Sequence, residues 1–223
     1  MGVVVVAAGS GTRLGADRPK AFVELAGVTI LERALRGVLA AGPGEVVVVV
    51  PRELVDEARS IVVSLELSGA RAEVVPGGAE RSESVSAGLA ALSDRVERVL
   101  VHDAARCLTP VAVFERVLAA LGAGVAGAVP GVAVVDTVKV VDAGGLIVDT
   151  PLRESLRAVQ TPQGFVRSVL TAAHAAGAAA TDDAALVEAL GHDVLVVEGD
   201  PRALKITTAD DLAHAERLLT ASP

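Results

Sequence analysis

Apolar residues recur along this chain in two rhythms. The first is the short unbroken run: four valines at 3–6, five at 46–50, and shorter β-rich pieces at 72–75, 99–101, 127–130, 156–160, 193–198 and 204–206. Runs of this length suit strands buried on both faces of a parallel sheet. The second is helical spacing. Leu31, Ala34, Leu35, Val38 and Leu39 fall on one face of a helix that Thr29 and Glu32 open as a capping box and that Gly42-Pro43-Gly44 ends. Further helices are expected from about Glu53, after the turn at 76–84 (Val85, Leu89 and Leu92 inward), behind Thr109 as cap and Pro110 as first residue, over about 166–175, from Thr181-Asp182-Asp183 to Gly191, and behind Thr208 with Leu212, Ala215 and Leu219 inward. Strand and helix therefore alternate, which predicts an α/β fold: a mostly parallel sheet flanked by helices, in one domain spanning 1–223.

The alternation breaks once. Residues 132–148 hold two short β-rich pieces around a turn at Asp142-Ala143-Gly144-Gly145. This reads as an inserted hairpin arm, an excursion over 131–155. A two-stranded arm is marginal by itself and needs something to pack on. A partner subunit would serve, and so would the arm's own domain.

Composition narrows the function. Of 223 residues 52% are hydrophobic and 1% aromatic, so the core is built from Val, Leu, Ile and Ala. A net charge of −8 argues against general binding to nucleic acid or anionic membrane. Any anionic substrate must then be held by local cations. A single cysteine, Cys107, offers neither a disulfide framework nor a metal cluster, and is expected as a small core residue. No apolar run reaches membrane-spanning length, and no basic stretch precedes the valine run, so a cytoplasmic protein is expected.

Four places carry candidate chemistry. The first valine strand stops at Ala8-Gly9-Ser10-Gly11-Thr12-Arg13, with Pro19-Lys20 close behind. Glycines bare the backbone, successive N–H groups can converge on an anion, and Arg13 and Lys20 bring two charges to the same segment. This is read as a triphosphate cradle; the plainer alternative is a strand-to-helix turn with two solvated cations. Gly77-Gly78, opening a helix that carries Ser84, could hold a base or sugar edge or could be a capped helix start. His102-Asp103-Ala104-Ala105-Arg106 follows a strand at its carboxyl end, where open α/β sheets place their chemistry. There Asp103 could take a Mg²⁺ water shell or a hydroxyl, Arg106 could take a phosphate, and His102 is expected as a structural neighbour. Lys205, in an apolar run, points at an anion or at solvent.

The stretches AAGSGTRLGADRPKAF, GGAERSESV, VHDAAR, DTVK, AVQTPQGF, TDDAALVE and LKITTADDL, in this order and spacing, resemble the 2-C-methyl-D-erythritol 4-phosphate cytidylyltransferase family over essentially the whole chain. The first motif is common to many sugar-nucleotide transferases; HDAAR, DTVK, TPQGF and TDDA are narrower. The resemblance implies a Rossmann-like homodimer whose arm reaches the neighbouring active site, CTP and the polyol phosphate as substrates, and Mg²⁺ bound mainly through the CTP phosphates. It implies that Arg13 and Lys20 stabilise the transition state, and that Arg153 and Lys205 position the attacking phosphate. Ala7, Ala8, Gly9, Gly11, Gly78, Ser84 and Ala104 would belong to the CTP site. Asp103, Arg106, Thr161 and Thr181 would belong to the acceptor site, with Thr137 and Arg153 serving the partner's. Two positions depart from the family pattern. Ala79 stands where Asp is frequent, so a base contact there must use backbone, and Arg202-Ala203 replaces a more polar pair before Lys205. Rival readings are a cytidylyltransferase for another polyol phosphate such as ribitol 5-phosphate, a non-catalytic nucleotide-binding module, and a nicotinamide-dependent oxidoreductase. The last expects an acidic residue at the end of the second strand, which instead ends at Val50-Pro51.

Overall fold

The computed structural model describes residues 1–9, 14–15, 17–177 and 180–220. The first valine run forms β1 (Gly2–Val6), and a small two-stranded ribbon, β2 (Glu24–Leu25) with β3 (Val28–Thr29), leads into α1 (Ile30–Ala40). The chain continues through β4 (Glu45–Val50), α2 (Val55–Ser64), β5 (Arg71–Pro76), α3 (Arg81–Ala91), β6 (Arg98–Asp103), α4 (Val111–Gly122) and β7 (Gly127–Ala133). The arm, β8 (Val140–Val141) and β9 (Ile147–Asp149), is followed by β10 (Arg157–Val159), β11 (Gln163–Val166), α5 (Arg167–Ala175), α6 (Asp183–Ala189), β12 (Val194–Glu198) and α7 (Ala209–Thr220).

β1 lies in the middle of the main sheet, parallel to β4 and β6, with β5 parallel beyond β4. This is why its valines are uninterrupted: Val3, Val4 and Val5 are fully buried, covered by helices on both faces. The other half of the sheet is mixed. β11 runs antiparallel to both β6 and β7, β10 is antiparallel to β7, and β12 is parallel to β7. The α/β expectation therefore holds, with an antiparallel wing that a parallel rhythm alone does not announce.

Three local expectations are corrected. Gln163–Val166 is a strand, where the sequence suggested only a connection. Residues 204–206 form no strand; the Ile206 N–H donates to Ala105 O, and the segment crosses the end of the sheet on that bond. Thr109 is not the cap of α4: its hydroxyl donates back to Arg106 O, and Pro110 occupies the cap position. At α1, the Thr29 hydroxyl does accept the Glu32 N–H, but the Glu32 carboxylate pairs with Arg36.

Helix α3 packs closely on the sheet because Gly88 lies against it. A Cβ there would collide with the Val4 side chain and press on Val49. Just past Gly88, at the carboxyl end of the helix, Arg167 at the start of α5 donates to the carbonyls of Leu89, Leu92 and Ser93, satisfying the end of α3 and fixing α5 beside it. Gly88→Ala would gain about 1 kcal/mol of helix propensity. Overpacking against two buried valines costs about 1–3 kcal/mol. The expected outcome is a lower urea midpoint with an unchanged slope; an equal or higher midpoint would show that α3 can shift outward.

Candidate active site

The carboxyl ends of β1, β5 and β6 open onto one cleft of about 660 Å³. Its backbone wall is Ala7, Ala8 and Gly9 after β1, facing Gly78, Ala79 and Glu80 before α3. These two stretches approach so closely that a side chain at Gly77 would meet Ala8 Cβ at 2.6 Å and Ser84 Oγ at 2.7 Å. Its floor is Asp103, Ala104 and Ala105, which continue β6, and its cations are Lys20, Arg81 and Lys205. Lys20 opens a short 3-10 turn behind Pro19 and lies within electrostatic reach of Asp211 at the start of α7.

Of the residues expected from the sequence, Ala7, Ala8, Gly9, Lys20, Gly78, Ser84, Asp103, Ala104 and Lys205 thus line a single cleft. Gly11 and Arg13 lie outside the described residues. Thr181 lines a smaller recess of about 350 Å³ next door, which shares Glu80 and Arg81 with the main cleft. Thr137 and Arg153 sit exposed on the arm, where the Arg153 guanidinium donates to Val135 O at 2.9 Å. Arg106 and Thr161 line neither cleft nor recess in this structure. Arg106, expected to hold a phosphate, donates to Ala203 O at 2.6 Å and Val159 O at 3.3 Å, tying the segment before Lys205 to the sheet. Thr161, expected beside the acceptor, is buried, and its hydroxyl is engaged by the Asp103 N–H and by His102 Nδ1.

At the turn before α3, the backbone donors expected for a base are already spent. Ser84 Oγ accepts the Gly78 N–H, and Glu83 Oε2 accepts those of Ala79, at 2.7 Å, and Glu80. The capped helix start and the cleft wall are therefore one feature.

Asp103 is the electrostatic centre. It is 7% exposed, with Oδ2 at 2.7 Å from Lys205 Nζ and Oδ1 at 3.5 Å from the Arg81 guanidinium. Burial alone would raise its pKa; Arg81 and Lys205 outweigh burial and hold the carboxyl down at about 2. The sequence did not single out Arg81 or the carboxylate behind it. Arg81 reaches the fully buried Asp183 at 2.8 Å, and Asp183 in turn meets His174 Nε2 at 2.9 Å. Read from sequence, Asp182 and Asp183 both looked like helix caps. Only Asp182 is one, accepting the Ala185 N–H. Cys107 is in the core as expected, its thiol pushed up to about 12 by burial.

His102 is the structural neighbour it was expected to be. It is buried against Phe114, and burial pushes its pKa down to about 4. The neutral ring accepts from Thr161 at Nδ1 and is hydrogen-bonded to the Arg106 backbone, so it braces the strand end carrying Asp103. A histidine whose folded pKa is lowered contributes stability that is full above the unfolded value of about 6.5 and is lost as pH falls toward 4. His102→Asn should flatten the pH dependence of unfolding free energy over that window by about 3 kcal/mol. The cavity left beside Phe114 should lower stability equally at every pH. An unchanged slope by urea titration at stepped pH would show that His102 is protonated in the fold.

Comparison with known proteins agrees with this geometry. The family model described as 2-C-methyl-D-erythritol 4-phosphate cytidylyltransferase (IspD) matches residues 1–221. A protein of that name from Nocardia farcinica is 52% identical over 217 residues, covering 97% of this chain and 92% of its own length. The solved 4-diphosphocytidyl-2C-methyl-D-erythritol synthase of Anaerococcus prevotii superposes with a TM-score of 0.87 at 28% identity, covering 98% of this chain and 97% of that one. The 2-C-methyl-D-erythritol 4-phosphate cytidylyltransferase of Thermus thermophilus gives 0.77 at 36% identity, covering 98% of each. With the sheet, the cleft and the full-length match in agreement, the chain belongs to the 2-C-methyl-D-erythritol 4-phosphate cytidylyltransferase family of nucleotidyltransferases.

Proposed function

We propose that this chain transfers the cytidylyl group of CTP to 2-C-methyl-D-erythritol 4-phosphate. The products are 4-diphosphocytidyl-2-C-methyl-D-erythritol, a non-mevalonate isoprenoid precursor, and pyrophosphate. The observation that carries this reading is the cleft itself. In a chain of net charge −8, bare backbone and three cations line one cleft at the carboxyl end of the sheet, and two of those cations meet there on one buried carboxylate. A phosphate oxygen of the acceptor attacks the α-phosphorus in line, and the bond to the bridging oxygen breaks, its electron pair leaving with pyrophosphate. The nucleophile is already an anion near neutral pH, so no general base is needed. What must be overcome is repulsion between two polyanions, a task for positioning and fixed charge. Lys20, with Arg13 on the same segment, would face the triphosphate; Lys205 would take the acceptor phosphate, and Asp103 an acceptor hydroxyl.

Among the described residues no group of three His, Cys, Asp or Glu side chains could hold a metal, and each oxygen of Asp103 faces a cation. The residues present fit a Mg²⁺ carried by the nucleotide phosphates, where it would neutralise charge, better than one caged by protein. The arm supports a homodimer. Val135 and Leu152 are 79% and 77% exposed, and Val138, Val140, Val141, Leu146, Ile147 and Val148 are exposed with them, which suits a second subunit better than water. Arg153 and Thr137 would then serve the partner's cleft. Among the described residues no helix is long and apolar enough to cross a membrane, which supports a cytoplasmic setting.

Pyrophosphate release across the four nucleotides, with methylerythritol phosphate or ribitol 5-phosphate as acceptor, should be specific to CTP and the former. Lys20→Ala or Arg13→Ala should lower kcat about 10²–10³-fold while the fold persists by circular dichroism; near-normal turnover contradicts the assignment. Arg153→Ala and Lys20→Ala, each impaired alone, should restore activity in mixed dimers, whereas a fully active monomer by sedimentation would overturn the shared site.

A further inference from the structure

Lys205 meets a conflict if it is to receive a phosphate. In this structure its amine is held by Asp103 at 2.7 Å, although the side chain is 42% exposed and lines the cleft. When the amine turns to an incoming phosphate, Asp103 keeps its charge in a site nearly stripped of water, a costly state without another cation. Arg81 is placed to be that cation. It already touches the other oxygen of Asp103 at 3.5 Å. It is anchored from behind by Asp183, which is fully buried and itself gripped by His174 Nε2, while Ser86 Oγ meets His174 Nδ1 at 3.2 Å. The anchor also has a fixed base. Gln163 donates to Asp182 and accepts the Ala184 N–H, so the start of α6 is clamped to β11. Arg81 moreover lines, with Glu80, both the main cleft and the recess that holds Thr181.

We propose that Arg81, pinned by Asp183 and His174, is a positioning residue that keeps the Asp103 carboxylate in place while Lys205 leaves it for the acceptor phosphate. It acts by competing for Asp103, so that Lys205 is lent to Asp103 and not locked to it. This rests on the reaction proposed above, with Lys205 as the phosphate cation. The same chain of contacts explains why two consecutive aspartates at the start of α6 have different tasks, Asp182 capping the helix and Asp183 holding a guanidinium.

Removing Arg81 should leave Lys205 as the one ion-pair partner of Asp103 among the described residues. Arg81→Gln should therefore raise KM for methylerythritol phosphate by about 10- to 100-fold, the range of one hydrogen bond between charged groups. KM for CTP should stay within about twofold. Because Arg81→Gln strands a buried carboxylate, the double variant Arg81→Gln/Asp183→Asn provides a second form in which that charge is gone and Asp103 is still deprived; it should show the same split. Arg81→Lys, which restores a cation, should recover part of the acceptor KM. A readout independent of turnover is trace acetylation of the Lys205 amine in the unliganded enzyme, followed by peptide mass spectrometry, which should slow by a similar factor in the variants. Equal acetylation of parent and double variant, or a rise in both KM values together with loss of thermal stability in both variants, would overturn the inference. If the parent shows no acceptor-dependent pyrophosphate release while the acetylation contrast persists, the reaction assignment fails and the charge sharing at Asp103 stands.

Discussion

A carboxylate that must remain charged where water is nearly absent sets the terms for the rest of this site. Asp103 ends a buried strand, and its position is fixed by the sheet through pairing of β6 with β1 and β11. Its charge then has to be answered by side chains that the sheet does not provide. Arg81 arrives from the start of α3 and Lys205 from a crossing segment a hundred residues later. Each is in turn fastened: Arg81 through Asp183, and the Lys205 segment through Arg106 to Ala203 and through Ile206 to Ala105. Much of the polar architecture beneath the cleft therefore serves to bring two cations to one anion, at the cost of burying several polar groups.

The residues around this centre divide between those that present chemistry and those that hold the presenters still. His102 and Thr161 belong to the second class. They brace the last residue of β6 from below and share no surface with the cleft. Glu83 does the same for the turn before α3, consuming two backbone donors that would otherwise face the ligand. Fixed dipoles and charges of this kind need no reorganisation when the reactants bind, which is what a reaction between two anions requires.

The parallel half of the fold was legible because its physical cause is local. Valines without interruption at 3–6 and 46–50 have only one comfortable setting, a strand covered on both faces. The antiparallel wing was not, because Gln163–Val166 is short, contains a glycine, and becomes a strand only by lying between β6 and β7. The same division runs through the site. Glycines and Asp103 announced themselves by standing at strand ends, and Lys20 by following Pro19 soon after the first glycine loop. Arg81 and Asp183 did not, since Asp before a helix reads first as a cap, and nothing local distinguishes Asp182, which is one, from Asp183, which turns inward. Arg106, a cation at a strand end expected to meet a phosphate, has in this structure a second task that no local pattern announced, bonding Ala203 and Val159.

The crossing segment near residue 205 has a consequence for how the molecule comes into being. On a ribosome the cleft's backbone wall and its carboxylate emerge first, and the amine opposite Asp103 follows 102 residues later. Until that segment threads over the end of the sheet and bonds to Ala105, a nascent chain holds the cleft's backbone wall and lacks the second cation of Asp103. Docking of that segment is thus also the step that completes the charge pairing around Asp103.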